Sequence, residues 1–217
     1  MAWAQGGSLG QPKVCIATLL GSGRMVSINW ARALRELNYP PNTDHYLLAG
    51  LPWGPARNGC VKYMLEKDFT HLLFWDSDVI PPHDGLIKLL QLRLDIVSGL
   101  YYTRFPPLQP VAYFDRQDAN GNWVKLSLNP FNPGDVLLVD FVGMGFCLIS
   151  RRVLESVPIP WFIFEMDVTN PHGPSEDFHF CRKARANGFS IYLATGIQCQ
   201  HETRAVSNHK GLGPEVL

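Results

Sequence analysis

The chain lacks several things that would have fixed its class at once. It has no Cys-x-x-Cys pair, no basic tract and no internal repeat. Its most apolar later stretch, "VLLVDFVGMGFCLIS", is too short to span a bilayer and carries Asp140. The first residues, "MAWAQGGSLGQPK", lack the basic-then-apolar order of a signal peptide, so no transmembrane or secreted protein is expected. The five cysteines, Cys15, Cys60, Cys147, Cys181 and Cys199, are odd in number and lie mostly inside apolar runs. That is the setting of buried free thiols and of a cytoplasmic location. Acidic and basic residues balance at 19 each, which removes the usual electrostatic footprint for nucleic acid. An anionic partner must then be met locally.

What is present is apolar enough to fold. With 46% hydrophobic and 18% charged residues over 217 positions, one sizeable core is expected, and no linker divides it. Residues 1–12 read as a loose tail. "KVCIATLL" (13–20) is a strand-length apolar run, followed by a "GSG" break and by Val26, Trp30, Ala33, Leu34 and Leu37 at helical spacing. "DHYLLAG" (44–50) repeats the strand, "ARNGCVKYMLEK" (56–67) the helix, and "HLLFW" (71–75) the strand again. A helix over about 83–93 and a strand in "DIVSGLYY" (95–102) follow. Strands apolar on both faces, alternating with helices, predict an α/β fold: a three-layer α/β/α sandwich around a mainly parallel sheet.

The second half changes character, so a change of lobe is placed near residue 100, between about 13–100 and about 101–204. "PVAYFDRQDANGNWVKLSL" reads as a hairpin around Asn-Gly. "DVLLVDFVGMGFCLIS" reads as a strand broken by Gly143 and Gly145, with a short helix near 150–156. The helix in "SEDFHFCRKARANG" has Ser175 as N-cap, acids in its first turn and Gly188 as its stop. A last strand, "SIYLATGIQCQHE" (190–202), contains His201. Residues 205–217 read as a tail or lid, and in the stretch "ETRAVSNHKG" Arg204, His209 or Lys210 would reach a ligand.

The chemistry-bearing candidates each have a plain structural explanation beside a functional one. Asp76 and Asp78 end an apolar strand two positions apart, so with strand geometry maintained their carboxylates share one side. Two anions held together favour a divalent cation, although Asp is also a common turn residue. Glu176 and Asp177 complement a helix dipole whether or not they react. His201 is either a hydrogen-bonded strand residue or a metal ligand. Asn58 fits a helix cap as well as a binding role. Trp161, Phe162 and Phe164 in "VPIPWFIFE" are either core or a flat apolar face of the kind that suits a sugar ring or lipid.

The order of these segments carries more than any one of them. "PARNGCVKYMLE", "HLLFWDSDV", "DIVSGLYYTR", "FVGMGFCLISRRVLE" and "SEDFHFCRKARANGFSIYLATGIQCQHE" together resemble the GT-A fold of nucleotide-sugar glycosyltransferases, specifically the small family 2-like enzymes, over residues 13–204. The resemblance implies a single glycosyltransferase domain that uses a UDP- or GDP-linked sugar, Mn2+ or Mg2+, and a carbohydrate, lipid or other hydroxyl acceptor. It implies that Asp78, Asp76 and His201 serve the metal, that Thr18, Arg57 and Asn58 lie along the nucleotide, and that Asp177, beside Glu176, is the base. The first strand departs from the family's usual turn, and no Gln-x-x-Arg-Trp sequence or membrane helix marks a processive synthase. A nucleotidyltransferase, a glycoside hydrolase and a non-catalytic binding module of the same fold are the alternatives.

Overall fold

The computed structural model describes residues 11–21, 25–117, 123–127, 131–165, 174–203, 205–208 and 211–214. Its first half runs β1 (Val14–Leu20), α1 (Ile28–Glu36), β2 (Thr43–Ala49), α2 (Trp53–Glu66), β3 (His71–Trp75), β4 (Val79–Ile80), α3 (Gly85–Gln91) and β5 (Ile96–Leu100). Next come β6 (Ala112–Gln117), β7 (Trp123–Ser127), β8 (Val136–Val139), β9 (Phe141–Val142), β10 (Phe146–Ser150) and α4 (Arg151–Ser156). The chain ends with α5 (Glu176–Ala186), β11 (Ile191–Gln198), β12 (Gln200–His201), β13 (Ala205–Asn208) and β14 (Gly211–Pro214).

Seven strands form the central sheet in the order β2-β1-β3-β10-β5-β11-β8. β1 runs parallel to β2 and β3, and β5 parallel to β11; β10 and β8 run against their neighbours. The sheet is thus mixed, with β10 inserted between β3 and β5. Alternation along the strands supplies a core on each face. Cys15, Ala17, Leu72, Phe74, Cys147 and Ile149 face α2, α4 and α5, while Ile16, Leu73, Trp75, Phe146 and Leu148 face α1 and α3. This is the expected three-layer arrangement, and it explains why these strands read as continuous apolar runs. Both cores draw on residues before and after position 100, so the sheet crosses the change of character seen in the sequence.

The segment 136–150 forms three strands rather than one. β8 borders the main sheet, β9 pairs with β6 in a separate sheet of β7-β6-β9, and β10 returns to the centre. Gly143 and Gly145 make the last change of direction feasible at close quarters. A Cβ on Gly143 would lie 2.1 Å from the Tyr101 hydroxyl, and one on Gly145 would lie 2.7 Å from the same ring.

α2 begins at Trp53, earlier than the sequence pattern, because "PWGP" reads as a breaker. Pro52 is the N-cap and Pro55 falls in the first turn, where a missing backbone N–H costs no helical hydrogen bond. Arg57 therefore sits in the second turn. Ser175 caps α5 by position, but its side chain makes no capping bond. The hairpin of β6 and β7 pairs Gln117 with Trp123, and β13 pairs with β14. Residues 1–10, the Asn-Gly turn at 118–122, and Arg204, His209 and Lys210 lie outside the described residues.

Candidate active site

A cavity of about 520 Å³ opens beyond the carboxyl ends of β1, β3 and β5, where open α/β sheets place their ligands. Leu19 comes from β1, Asp76 follows β3, Tyr101 follows β5, and Glu176 and Asp177 open α5. Four carboxylates, Asp76, Asp78, Glu176 and Asp177, line it against two guanidinium groups, Arg57 and Arg104. Carboxyl groups thus outnumber guanidinium groups on this wall.

Arg57 organises one side. It is 3% exposed, its Nε lies 3.3 Å from Glu176 Oε1 and 3.9 Å from Asp177 Oδ1, and its Nη2 lies 3.5 Å from Asp76 Oδ1. The guanidinium also stacks 4.9 Å above the Phe74 ring. Burial alone would make Arg57 easier to deprotonate, but Asp76, Asp177 and Glu176 outweigh it and hold the charge more firmly than usual. Its Nη1 is buried without a hydrogen-bond partner among the described residues.

Burial shifts two of the carboxyl groups around Arg57. Burial, then the neighbouring Asp177 charge, raises Glu176 to about 7, with Arg57 opposing. Burial also raises Asp76, again against Arg57. Asp177 keeps 21% side-chain exposure against 7% for Glu176. Its Oδ2 accepts from the Met144 N–H at 3.3 Å, so the Gly143–Gly145 bend fixes its orientation. Tyr101 lies behind this group, its hydroxyl accepting from the Gly145 N–H at 3.0 Å. Burial and then the charges of Asp76 and Asp177 keep that phenol protonated.

The other side is built by a short ladder. β12 pairs with β4 so that His201 stands opposite Val79, and the Glu202 N–H donates to the Asp78 carbonyl at 2.8 Å. His201 Nε2 therefore lies 3.5 Å from Asp78 Oδ2. His201 Nδ1 bonds the Tyr102 carbonyl at 2.7 Å, and since a carbonyl only accepts, that nitrogen carries the proton. Burial lowers the imidazole's pKa, aided by Arg104 and opposed by the Tyr102 carbonyl and Asp76. The ring is thus neutral, with Nε2 as its acceptor nitrogen.

Several expectations need correction. Strand geometry stops at Trp75, and the Val79 N–H closes a turn on the Asp76 carbonyl at 3.2 Å. The two aspartates consequently diverge: Asp76 turns to Arg57 and Asp78 to His201. Among the described residues, no three His, Cys, Asp or Glu side chains cluster so as to hold a metal by themselves. Thr18 is 1% exposed within β1 and does not line the cavity. Asn58 is a clamp: its Nδ2 donates to the Phe162 carbonyl at 2.7 Å, and its Oδ1 accepts from the Trp161 and Phe162 N–H groups. Trp161 and Phe162 are core residues, 3% and 1% exposed, with Phe162 stacked on Phe180. Of the three aromatics only Phe164, half exposed, reaches the cavity, together with Trp53.

Sequence reasoning missed Arg104. It follows β5, ion-pairs with Asp78, and donates from Nε to His201 Nε2 at 3.1 Å. A cation just past a strand's carboxyl end was the only signal, and nothing in the sequence relates it to a histidine far along the chain.

No protein-family model matches the chain, and no curated protein does. Solved structures do. A197 from STIV aligns with TM-score 0.61 at 18% identity, over 94% of each chain. GalNAc-T7, crystallised with UDP, GalNAc and Mn2+, aligns with TM-score 0.58 at 8% identity over 89% of this chain and 44% of its own. S. aureus TarS 1-349, in complex with UDP-GlcNAc, aligns with TM-score 0.52 at 13% identity over 88% and 59%. The present chain thus spans about half the length of these last two. Among the described residues no helix is long and apolar enough to cross a membrane. The arrangement of seven mixed strands between two helical layers is that of a GT-A-like α/β fold.

Proposed function

We propose that this chain is a metal-dependent glycosyltransferase that moves one sugar from a UDP- or GDP-linked donor to the hydroxyl of a carbohydrate, lipid or other acceptor, with inversion. The observation that carries the reading is the division of the cavity. An Asp78–His201 pair stands on one wall and a Glu176–Asp177 pair on another, with Arg57 between the acids. Two structural neighbours, one with UDP, GalNAc and Mn2+ and one in complex with UDP-GlcNAc, support it by analogy of fold.

The donor set fits a divalent cation of the hard or borderline kind. Asp78 Oδ2 and the Nε2 lone pair of a neutral His201 are 3.5 Å apart, and a cation with two charges would offset the excess of carboxylates. Two protein ligands are enough where diphosphate oxygens and water complete the shell, as is usual for Mg2+. When bound, Mn2+ or Mg2+ would stabilise the charge that develops on the leaving diphosphate.

Asp177 is the base of this reading. It is the more exposed of the acid pair, and its Oδ2 is held by Met144. It takes the proton from the acceptor oxygen as that oxygen bonds to the anomeric carbon, while the bond from that carbon to the diphosphate breaks. Glu176, raised to about 7, holds its proton well below that pH and makes the poorer base there.

The test is calorimetry of UDP and GDP with and without Mn2+, on the parent and on Asp78→Ala. Mn2+-dependent binding of one diphosphate, lost in the variant, supports the reading. Metal-independent binding would leave the non-catalytic module standing, and no nucleotide binding at all would favour a hydrolase.

A further inference from the structure

Arg104 occupies the space between Asp78 and His201. Its Nη2 pairs with Asp78 Oδ2, and its Nε donates to His201 Nε2 at 3.1 Å. These are the same two atoms that the proposed metal would use. We infer that Arg104 is a displaceable counter-cation: its guanidinium and a divalent metal are alternative occupants of the Asp78–His201 pair, and metal entry releases Arg104 toward the diphosphate. The inference rests on the metal-dependent reading above and adds a residue and an order of events to it.

Mutual exclusion follows from lone pairs. A neutral imidazole has one acceptor nitrogen. His201 Nδ1 is committed as a donor to the Tyr102 carbonyl, so Nε2 holds the single available pair, and Arg104 already uses it. The nitrogen cannot ligate a metal and accept from Arg104 at once. Asp78 has further lone pairs, but its Oδ2 is the oxygen facing His201 and the one Arg104 neutralises.

The surroundings let the arginine move while the ligands stay. Asp78 and His201 are fixed by the β4–β12 ladder and by the Glu202-to-Asp78 backbone bond. Arg104, 42% exposed, rides a turn that closes on itself. The Thr103 N–H donates to the Gln109 carbonyl at 2.9 Å, Thr103 Oγ1 donates to the Phe105 and Pro107 carbonyls, and the Gln109 N–H donates back to Thr103 Oγ1. Rotation about the Arg104 side-chain bonds therefore breaks its polar contacts with Asp78 and His201 and leaves the turn's own hydrogen bonds in place. Once released, the guanidinium remains at the cavity wall, where its planar donors suit a phosphate. Metal and diphosphate would thus enter cooperatively: the metal removes the arginine's partners, and the diphosphate supplies new ones.

The experiment compares Mn2+ affinity by electron paramagnetic resonance for the full chain and for Arg104→Gln, first without nucleotide and then with UDP and GDP. Circular dichroism melts of both proteins establish that the variant is folded. Without nucleotide, Arg104→Gln should bind Mn2+ at least fivefold more tightly, because no competitor remains. With the diphosphate that binds the parent, its gain in Mn2+ affinity from that diphosphate should be smaller than the parent's. Equal or weaker Mn2+ binding by the variant without nucleotide overturns the inference and leaves the metal-dependent reading intact. Absence of Mn2+ binding from both proteins, with and without nucleotide, overturns both.

Discussion

Arg57 and Glu176, 119 positions apart in sequence, meet with Nε 3.3 Å from Oε1 in a setting where both are buried. The contact ties α2 to the start of α5 and brings Asp177 and Asp76 around the same guanidinium. One buried cation thereby holds three carboxylates at the floor of the cavity.

Removal of that cation should be costly. Arg57→Met leaves Glu176, Asp76 and Asp177 without their shared partner, and breaking a buried ion pair from one side costs about 3–5 kcal/mol. Because the surviving acids can take up protons, the loss should be smaller at pH 5 than at pH 8. Urea denaturation at both values checks this, and an equal loss at the two would show that lost packing against Phe74 dominates.

Glu176 gives the fold a pH dependence of definite sign. Its ordinary value is 4.5, and in the folded chain it is raised to about 7 by burial first and Asp177 second. Below about 4.5 the group is protonated in folded and unfolded chains alike and imposes no penalty. As pH rises from about 4.5 to about 7, the unfolded chain releases the proton while the folded one retains it, so stability falls, and above that window the penalty is constant. Glu176→Gln should remove this slope, gaining on the parent by on the order of 1–3 kcal/mol between pH 4.5 and 8. Denaturation midpoints of both proteins across that range measure it.

The framework of this fold was legible because its central strands are apolar on both faces, and "KVCIATLL", "HLLFW" and "DIVSGLYY" each hold a strand within them. The end of one of them, β3, pointed to the cavity wall that holds Asp76 and Asp78, while Glu176 and Asp177 were read from the start of a helix. Long-range pairing was not legible. That β10 separates β3 from β5 depends on the bend at Gly143 and Gly145 packing over Tyr101, which local periodicity does not encode. Asn58 resembled a ligand contact because an amide serves a backbone clamp equally well. Glu176 resembled helix dressing, yet its burial and its pairing with Arg57 separate it from a surface acid.

The aromatics after α4 should divide by burial. Trp161, 3% exposed and bonded through Nε1 to the Leu154 carbonyl at 2.8 Å, should cost about 3–5 kcal/mol as Trp161→Ala. Phe164, 46% exposed at the cavity, should cost little stability as Phe164→Ala. In a transfer assay Phe164→Ala should raise the acceptor KM more than the donor KM, since a flat apolar ring at the mouth suits an acceptor. Equal effects on both constants would remove Phe164 from the acceptor site.

Asp177→Asn addresses the chemical step itself. The substitution keeps the side chain's size and its ability to accept from the Met144 N–H, but it abolishes the capacity to take up a proton. If Asp177 is the base, Mn2+-dependent diphosphate binding persists while turnover falls by about 10²- to 10⁴-fold, with the loss in kcat rather than in donor affinity. Glu176→Gln is the comparison, because it stands in the same helical turn and also faces Arg57. A role limited to the helix dipole and the Arg57 cluster predicts that both variants alter stability and spare turnover. A base at Asp177 predicts that turnover collapses in Asp177→Asn alone. Loss of turnover in Glu176→Gln with Asp177→Asn near the parent rate would move the base to Glu176, which the proton held near neutral pH would then make active only as the pH rises through about 7.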